Sequence, residues 1–211
     1  MPLHYQHNIN DFTRLAVWKI AEPESFFTQK VSLQQSVTHP HKRLQHLAGR
    51  FLLPYLFADF PSELIQIADT RKPFLPDENY HFSISHCGDY AAAIVSSSCR
   101  VGIDVELVTH RVDKIKHKFL HASELMEWDI EGLEPAERFS TLTLLWSAKE
   151  AMFKWWGRGD VDFSECMQIK AGKLGDSGQL LAHFTKGEYY QDLVLHYQLS
   201  STLSLVYVEN D

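Results

Sequence analysis

Two carboxylates set two residues apart are the first sign of chemistry in this chain. In "VGIDVELV" the alternation of a β-strand puts Ile103, Val105 and Leu107 on one face and Asp104 and Glu106 on the other. Same-face neighbours on a strand lie about 6.5–7 Å apart at the backbone. Both acids can therefore reach one hard cation, at ligand distances of about 2.0–2.1 Å for Mg²⁺. Taken alone, the pair is more simply a solvent-facing edge strand with two ordinary acids. Gly102, just before it, marks a bulge or the close approach of another backbone.

A second cluster lies some forty residues on. "LLWSAKEAMFKWWG", residues 144–157, mixes three Trp, a Phe and a Met with Lys149, Glu150 and Lys154. On a helix Trp146, Glu150 and Lys154 follow i, i+4, i+8 and share a face. As an exposed pair Glu150 and Lys154 would be a weak brace of about 0.2–0.5 kcal/mol. As a third carboxylate with a cation one turn on, they suit phosphoryl chemistry: acids for a metal on pyrophosphate oxygens, and a Lys for the leaving phosphate. A third piece is "RKPFLP" followed by "HFSISHCGDY". Arg71 and Lys72 precede Pro73, which fixes the local backbone. Ser85, His86 and Gly88 sit where a strand turns and offer a hydroxyl, an imidazole and backbone N–H groups to an anion. By itself, His86 reads more simply as a turn histidine bonded to a neighbouring carbonyl.

The elements that must position these groups show in the periodicity. Residues 42–58 carry Leu44, Leu47, Ala48, Phe51, Leu52, Tyr55 and Leu56 at helical spacing, with Pro54 predicting a kink or an early end. "KPFL", "YHFSIS", "YAAAIVS" and "RVGIDVELV" read as strands. The second half repeats the order: a helix over "STLTLLWSAKEAMFKWW", then "FSECMQIKAG", "GQLLAHFT", "DLVLHYQLS" and "TLSLVYVE" as a meander. The expectation is an α+β fold: a pseudo-twofold pair of similar α/β lobes, residues 1–104 and 105–211. Each lobe would pack a helix on a small antiparallel sheet, with the active site in the cleft between them. Residues 110–138 hold a basic block and then an acidic one, which read as solvated faces.

Composition sets the class. The 211 residues are 45% hydrophobic and 22% charged, with a formal net charge of −7. That charge argues against a broad nucleic-acid surface but leaves room for a small anionic ligand in a local basic patch. Three Cys without a CxxC pair fit a reducing compartment. No basic n-region and apolar h-region opens the chain, and no apolar run is long enough to span a bilayer. Twelve His include neither HExxH nor an HxH beside Cys. The reading is a cytoplasmic protein acting as a monomer, with no membrane and no nucleic acid.

Taken together and in this order, "KPFLP", "FSISHCGDY", "GIDVE" and "WSAKEAMFK" resemble the successive signature blocks of the 4′-phosphopantetheinyl transferases, and "HKFLHASE" (117–124) resembles a further family element. Length and repeated lobes are similar to the two-domain, surfactin-type group. The resemblance implies transfer of the phosphopantetheine arm of coenzyme A to a serine of an apo acyl or peptidyl carrier protein, with release of adenosine 3′,5′-bisphosphate. It implies Asp104, Glu106 and Glu150 as Mg²⁺ ligands, Glu150 also as general base, and Lys154 at the departing bisphosphate. Lys72 would contact the CoA 3′-phosphate, while Ser85 and His86 would hold phosphates. For the first-lobe basic residue that contacts CoA, Lys42, Arg43 and Arg50 compete, and Arg43 is preferred. The run Arg111, Lys114, Lys116, Lys118 is the expected carrier-docking face, with the apolar residues around Phe119 and Leu120 as its alternative. Competing readings are a Mg-dependent phosphodiester hydrolase, which would want a basic groove, and an inactive binding module, which need not keep the three acids and Lys154.

Overall fold

The computed structural model describes residues 2–33, 37–70 and 72–210. Arg71 of the expected anion-binding block lies outside them. The chain opens with two antiparallel strands, β1 (Leu3–Asn8) and β2 (Thr13–Lys19), then a short helix α1 (Glu24–Thr28) and the long helix α2 (Pro40–Leu56). A two-residue ribbon pairs β3 (Gln66–Ile67) with β4 (Pro73–Phe74). Next come β5 (His81–Cys87), β6 (Tyr90–Ser96) and β7 (Arg100–Leu107). After a 3₁₀ stretch at His110–Lys118 follow α3 (Ala122–Glu127), α4 (Pro135–Trp156) and α5 (Phe163–Cys166). The chain closes with β8 (Met167–Ile169), β9 (Ser177–Lys186), β10 (Tyr189–Leu199) and β11 (Leu203–Asn210).

Two antiparallel sheets result, of strand order β1-β2-β6-β5 and β7-β11-β10-β9-β8. Their facing sides share one apolar layer, in which Leu15, Val17 and Ile94 meet Ile103, Val105 and Leu205. On the far side of the first sheet α2 lays Leu47, Ala48, Leu52 and Leu56 against Phe82, Ala93 and Val95. On the far side of the second, α4 lays Leu145, Ala148 and Met152 against Leu195, Val206 and Val208. Each buried Leu, Val, Phe or Met side chain here stabilises the fold by about 1.5–3 kcal/mol, so the two helices are fixed by burial rather than by propensity. The α+β expectation holds.

Several local expectations change. The strands β1 and β2 were not foreseen: "HYQHN" alternates without an apolar face and is exposed, while β2 is covered by its neighbours. Helix α2 passes Pro54 and ends at Leu56, because a proline in the last turn leaves the earlier turns intact. Tyr55, placed on its apolar face, is exposed and donates its hydroxyl to Gln6. "FSECMQIKAG" begins as helix α5 before turning into β8. The block at 110–138 is more than a solvated face. Lys116 is buried and ion-paired with Asp113 at 2.8 Å and Glu131 at 2.6 Å, while Phe119 and Leu120 belong to the core. Among the described residues no helix is long and apolar enough to cross a membrane.

Candidate active site

Gly102 decides how close α4 comes to β7. A Cβ at that position would sit 2.0 Å from the carbonyl oxygen of Ala151, so only a residue without one lets the helix backbone lie on the strand. The next residue on the same face of β7 is Asp104, which is therefore covered by α4 instead of facing solvent, and is 2% exposed. From α4, Lys154 Nζ reaches Asp104 Oδ1 at 2.7 Å; from β5, the Ser85 hydroxyl donates to the same oxygen at 2.7 Å. Lys154 Nζ and Ser85 Oγ are themselves 2.8 Å apart. Three stretches of sequence thus close into one triangle.

Two further acids face this triangle. Burial, then the charge of Asp104, pushes the Glu150 carboxyl up to about 7, against the pull of Lys154. Burial and Asp104 also raise Glu106, while hydrogen bonds with Cys87 and Trp146 act in the other direction. Burial pushes the Cys87 thiol up to about 12, aided by Glu106, so this cysteine is no nucleophile at neutral pH. His86 is pushed down to about 4, chiefly by burial and next by His46, whose ring lies 5.0 Å away. It is a neutral imidazole at the cleft wall. The turn that follows, at Gly88 (φ 54°), gives its carbonyl to His41 and Gln45 of α2, which ties this helix to the site.

The Lys72 ammonium is held against the C-terminus of α4, where it donates to the carbonyl oxygen of Lys154. Gly157 ends the helix at φ 69°, and any Cβ there would lie 2.6 Å from Lys72 Nζ. Burial and Arg100 bring this Lys down to about 8. Two hollows flank it. One of about 230 Å³ is lined by Thr70, Ile84, Glu150, Phe153 and Lys154; the other, of about 270 Å³, by His81, Arg100, Trp156 and Arg158.

Arg43 points elsewhere. Its guanidinium grips Glu24 of α1 with two bonds of 2.8 and 2.9 Å and donates to the carbonyl of Val37. Arg50, one of its two competitors, is largely buried, is held below its ordinary value by that burial, and lies close enough to depress His46 beside His86. Among the described residues no carboxylate pairs with Arg50.

The acids suit a hard divalent cation in charge and in donor type. Asp104 Oδ2 is buried without a hydrogen-bond partner, and both Glu side chains are driven toward protonation by burial first and then by the negative charge of Asp104. As they stand, however, no three His, Cys, Asp or Glu side chains among the described residues gather as a ready ion cage, and Lys154 holds Asp104 Oδ1.

Residues 100–201, which begin at β7 and include α4, match the family model for the 4′-phosphopantetheinyl transferase superfamily. Over this stretch, a little under half of its length, the chain is similar to that superfamily. Curated relatives agree. An enterobactin synthase component D from Salmonella austin is 31% identical over 116 residues, covering 54% of this chain and 47% of the relative. The 4′-phosphopantetheinyl transferase AcpT of Escherichia coli K12 is 28% identical over 124 residues, covering 58% and 62%. The 4′-phosphopantetheinyl transferase gsp of Aneurinibacillus migulanus is 29% identical over 113 residues, covering 54% and 46%. The aligned part thus spans about half the length of the curated relatives.

The structure brings Asp104, Glu106, Glu150, Lys154, Ser85 and His86 together, places Lys72 beside them at the end of α4 and ties Arg43 to Glu24. Sequence spacing did not reveal that Ser85 bonds to Asp104, nor that Arg50 is the α2 arginine beside the histidine pair. It also missed the partner of Lys149: Glu124, within the "HASE" element but twenty-five residues upstream.

Proposed function

We propose that this chain is a phosphopantetheinyl transferase that moves the arm of coenzyme A to a serine of an apo acyl or peptidyl carrier protein, with residues 1–104 and 105–211 as the two lobes of one catalytic unit. The observation that carries the reading is the triangle of Asp104, Lys154 and Ser85, with Glu150 and Glu106 beside it, all of them except Ser85 inside the matched family segment. Asp104, Glu106 and Glu150 would hold Mg²⁺, which when bound supplies positive charge to the pyrophosphate oxygens of CoA.

The chain's own groups do the rest. The carrier serine oxygen bonds to the pantetheine-side phosphorus as the bond from that phosphorus to the bisphosphate oxygen breaks. Glu150, perched near 7, accepts the serine proton directly or through water. Lys154 stabilises the charge that grows on the departing bisphosphate and can return a proton to it. Lys72 meets the 3′-phosphate, and Ser85 with the neutral His86 orients phosphate oxygens. In place of Arg43 we assign the first-lobe contact to Arg50, which sits beside the His46–His86 pair. The protein would work in the cytoplasm as a monomer.

The test is incubation with CoA, Mg²⁺ and several apo carrier domains, followed by intact-mass measurement. One carrier at least should gain a single phosphopantetheine; no mass change in any acyl or peptidyl carrier would end the reading.

A further inference from the structure

Lys149 is next to Glu150 on α4 yet points the opposite way, into the core, where it is fully buried. A buried ammonium is costly unless all three of its protons are taken up. Here they are: Nζ donates to Glu124 Oε2 at 2.6 Å, to the Met167 carbonyl at 2.8 Å and to the Phe163 carbonyl at 3.1 Å. Glu124 is equally enclosed, and its oxygens accept from the backbone N–H of Ile169 and of His121, each at 2.9 Å. One ion pair therefore joins α4 to the start of α3, to α5 and to β8.

The clasp has a side that faces the cleft. The Phe163 ring, whose own carbonyl Lys149 holds, packs on Trp146 at 5.8 Å and on Phe153 at 5.4 Å between centroids. Trp146 precedes Glu150 by one turn of α4; Phe153 follows it and lines the same hollow as Glu150 and Lys154. A chain of contacts thus runs from Lys149 through Phe163 to the walls on both sides of Glu150.

We propose that Lys149 is a positioning residue: through Glu124 and the Phe163 carbonyl it sets the 163–167 segment against α4, and so fixes the aromatic walls and the aim of Glu150. Its consequence for transfer rests on the function proposed above, whereas the clasp itself does not. A hydrophobic brace would serve stability as well, because neutral replacement of a buried pair is often tolerated. An ammonium with three fixed acceptors adds direction, which apolar packing lacks.

The test separates stability from positioning by pairing Lys149→Met with Glu124→Gln, which removes both charges and keeps an amide oxygen for Ile169. Three quantities are read: melting temperature, steady-state transfer to an apo carrier, and amide hydrogen exchange at residues 163–169. Lys149→Met alone should melt well below wild type, and the double variant should recover most of that loss. The double variant should still exchange faster at 163–169 and show kcat down about tenfold to a hundredfold, with KM for the carrier within twofold, as expected for a misplacement near 1 Å. Phe163→Ala, which leaves the ion pair in place, should reproduce the kcat loss. Recovery of kcat along with the melting temperature, or wild-type kcat in Phe163→Ala, would overturn the positioning role. Unchanged exchange at 163–169 in the double variant would overturn the clasp even if the wild-type protein proved to transfer nothing, an outcome that instead counts against the proposed function.

Discussion

Lys154 Nζ lies 2.7 Å from Asp104 Oδ1, so the cation of the α4 motif is seated inside the acid cluster of β7 instead of lying along the helix surface beside Glu150. It is the counter-ion of a carboxylate that is itself 2% exposed. A surface i, i+4 brace would leave the cation in solvent; this one spans two elements.

If that cation meets the charge developing on a leaving phosphate, as proposed, Lys154→Ala should lower kcat by about 10²–10³-fold and raise KM for CoA much less. A loss under tenfold would reduce Lys154 to a structural partner of Asp104. Steady-state kinetics with varied CoA makes the distinction.

Glu150 gives a signed pH effect. Its carboxyl moves from an ordinary 4.5 to about 7 in the folded chain. Between those values the folded protein keeps a proton that the unfolded chain has released, so stability falls as pH rises through this window, by up to about 3 kcal/mol. His86, pushed from 6.5 down to about 4, acts in the opposite sense: its contribution is lost as pH falls. The Glu150→Gln variant isolates the first effect. Its melting temperature should match wild type near pH 4.5 and exceed it increasingly toward pH 8, and saturating Mg²⁺ with CoA should narrow the gap. A pH-independent difference would mean that neither burial nor the charge of Asp104 raises the Glu150 carboxyl.

Gly102→Ala should fail structurally. The added Cβ would meet the Ala151 carbonyl oxygen at 2.0 Å and the Trp155 nitrogen at 2.8 Å, both backbone atoms that cannot rotate away. Overpacking of this kind costs about 1–3 kcal/mol or more, and it forces α4 off β7. The variant should therefore melt lower and lose transfer together. Wild-type stability would contradict the close approach.

The proposed carrier-docking face narrows on the structure. Lys116 is spent on Asp113 and Glu131, and Phe119 and Leu120 are internal, which leaves Arg111, Lys114 and Lys118 exposed on the 3₁₀ stretch. Lys114→Glu with Lys118→Glu should raise KM for an acidic carrier and leave KM for CoA unchanged. The penalty should shrink with salt, since exposed charges are screened over about 8–10 Å. Unchanged carrier KM at low salt would move docking off this face.

These particulars show what the sequence made readable. The two-residue period of "GIDVE" and the four-residue period from Trp146 to Lys154 state which side chains share a face, and both faces are where they were expected. Direction across elements is another matter. Spacing cannot say that α4 covers the Asp104 side of β7; the missing Cβ of Gly102 does that. Nor can it rank Lys42, Arg43 and Arg50, because each lies on the same helix and spacing does not show that Glu24, in a separate short helix, pairs with Arg43. Lys149 looked like a charge stranded among aromatics because its partner lies on α3.

The most direct test of the central claim counts nucleotide against carrier. With CoA, Mg²⁺ and an apo carrier, adenosine 3′,5′-bisphosphate should appear in one-to-one ratio with phosphopantetheinylated serine. Without the carrier almost none should form, and Asp104→Ala, Glu106→Ala and Glu150→Ala, each still folded, should produce neither. Release of the bisphosphate at a comparable rate without any carrier would contradict the account and make the same acid cluster a phosphodiester hydrolase.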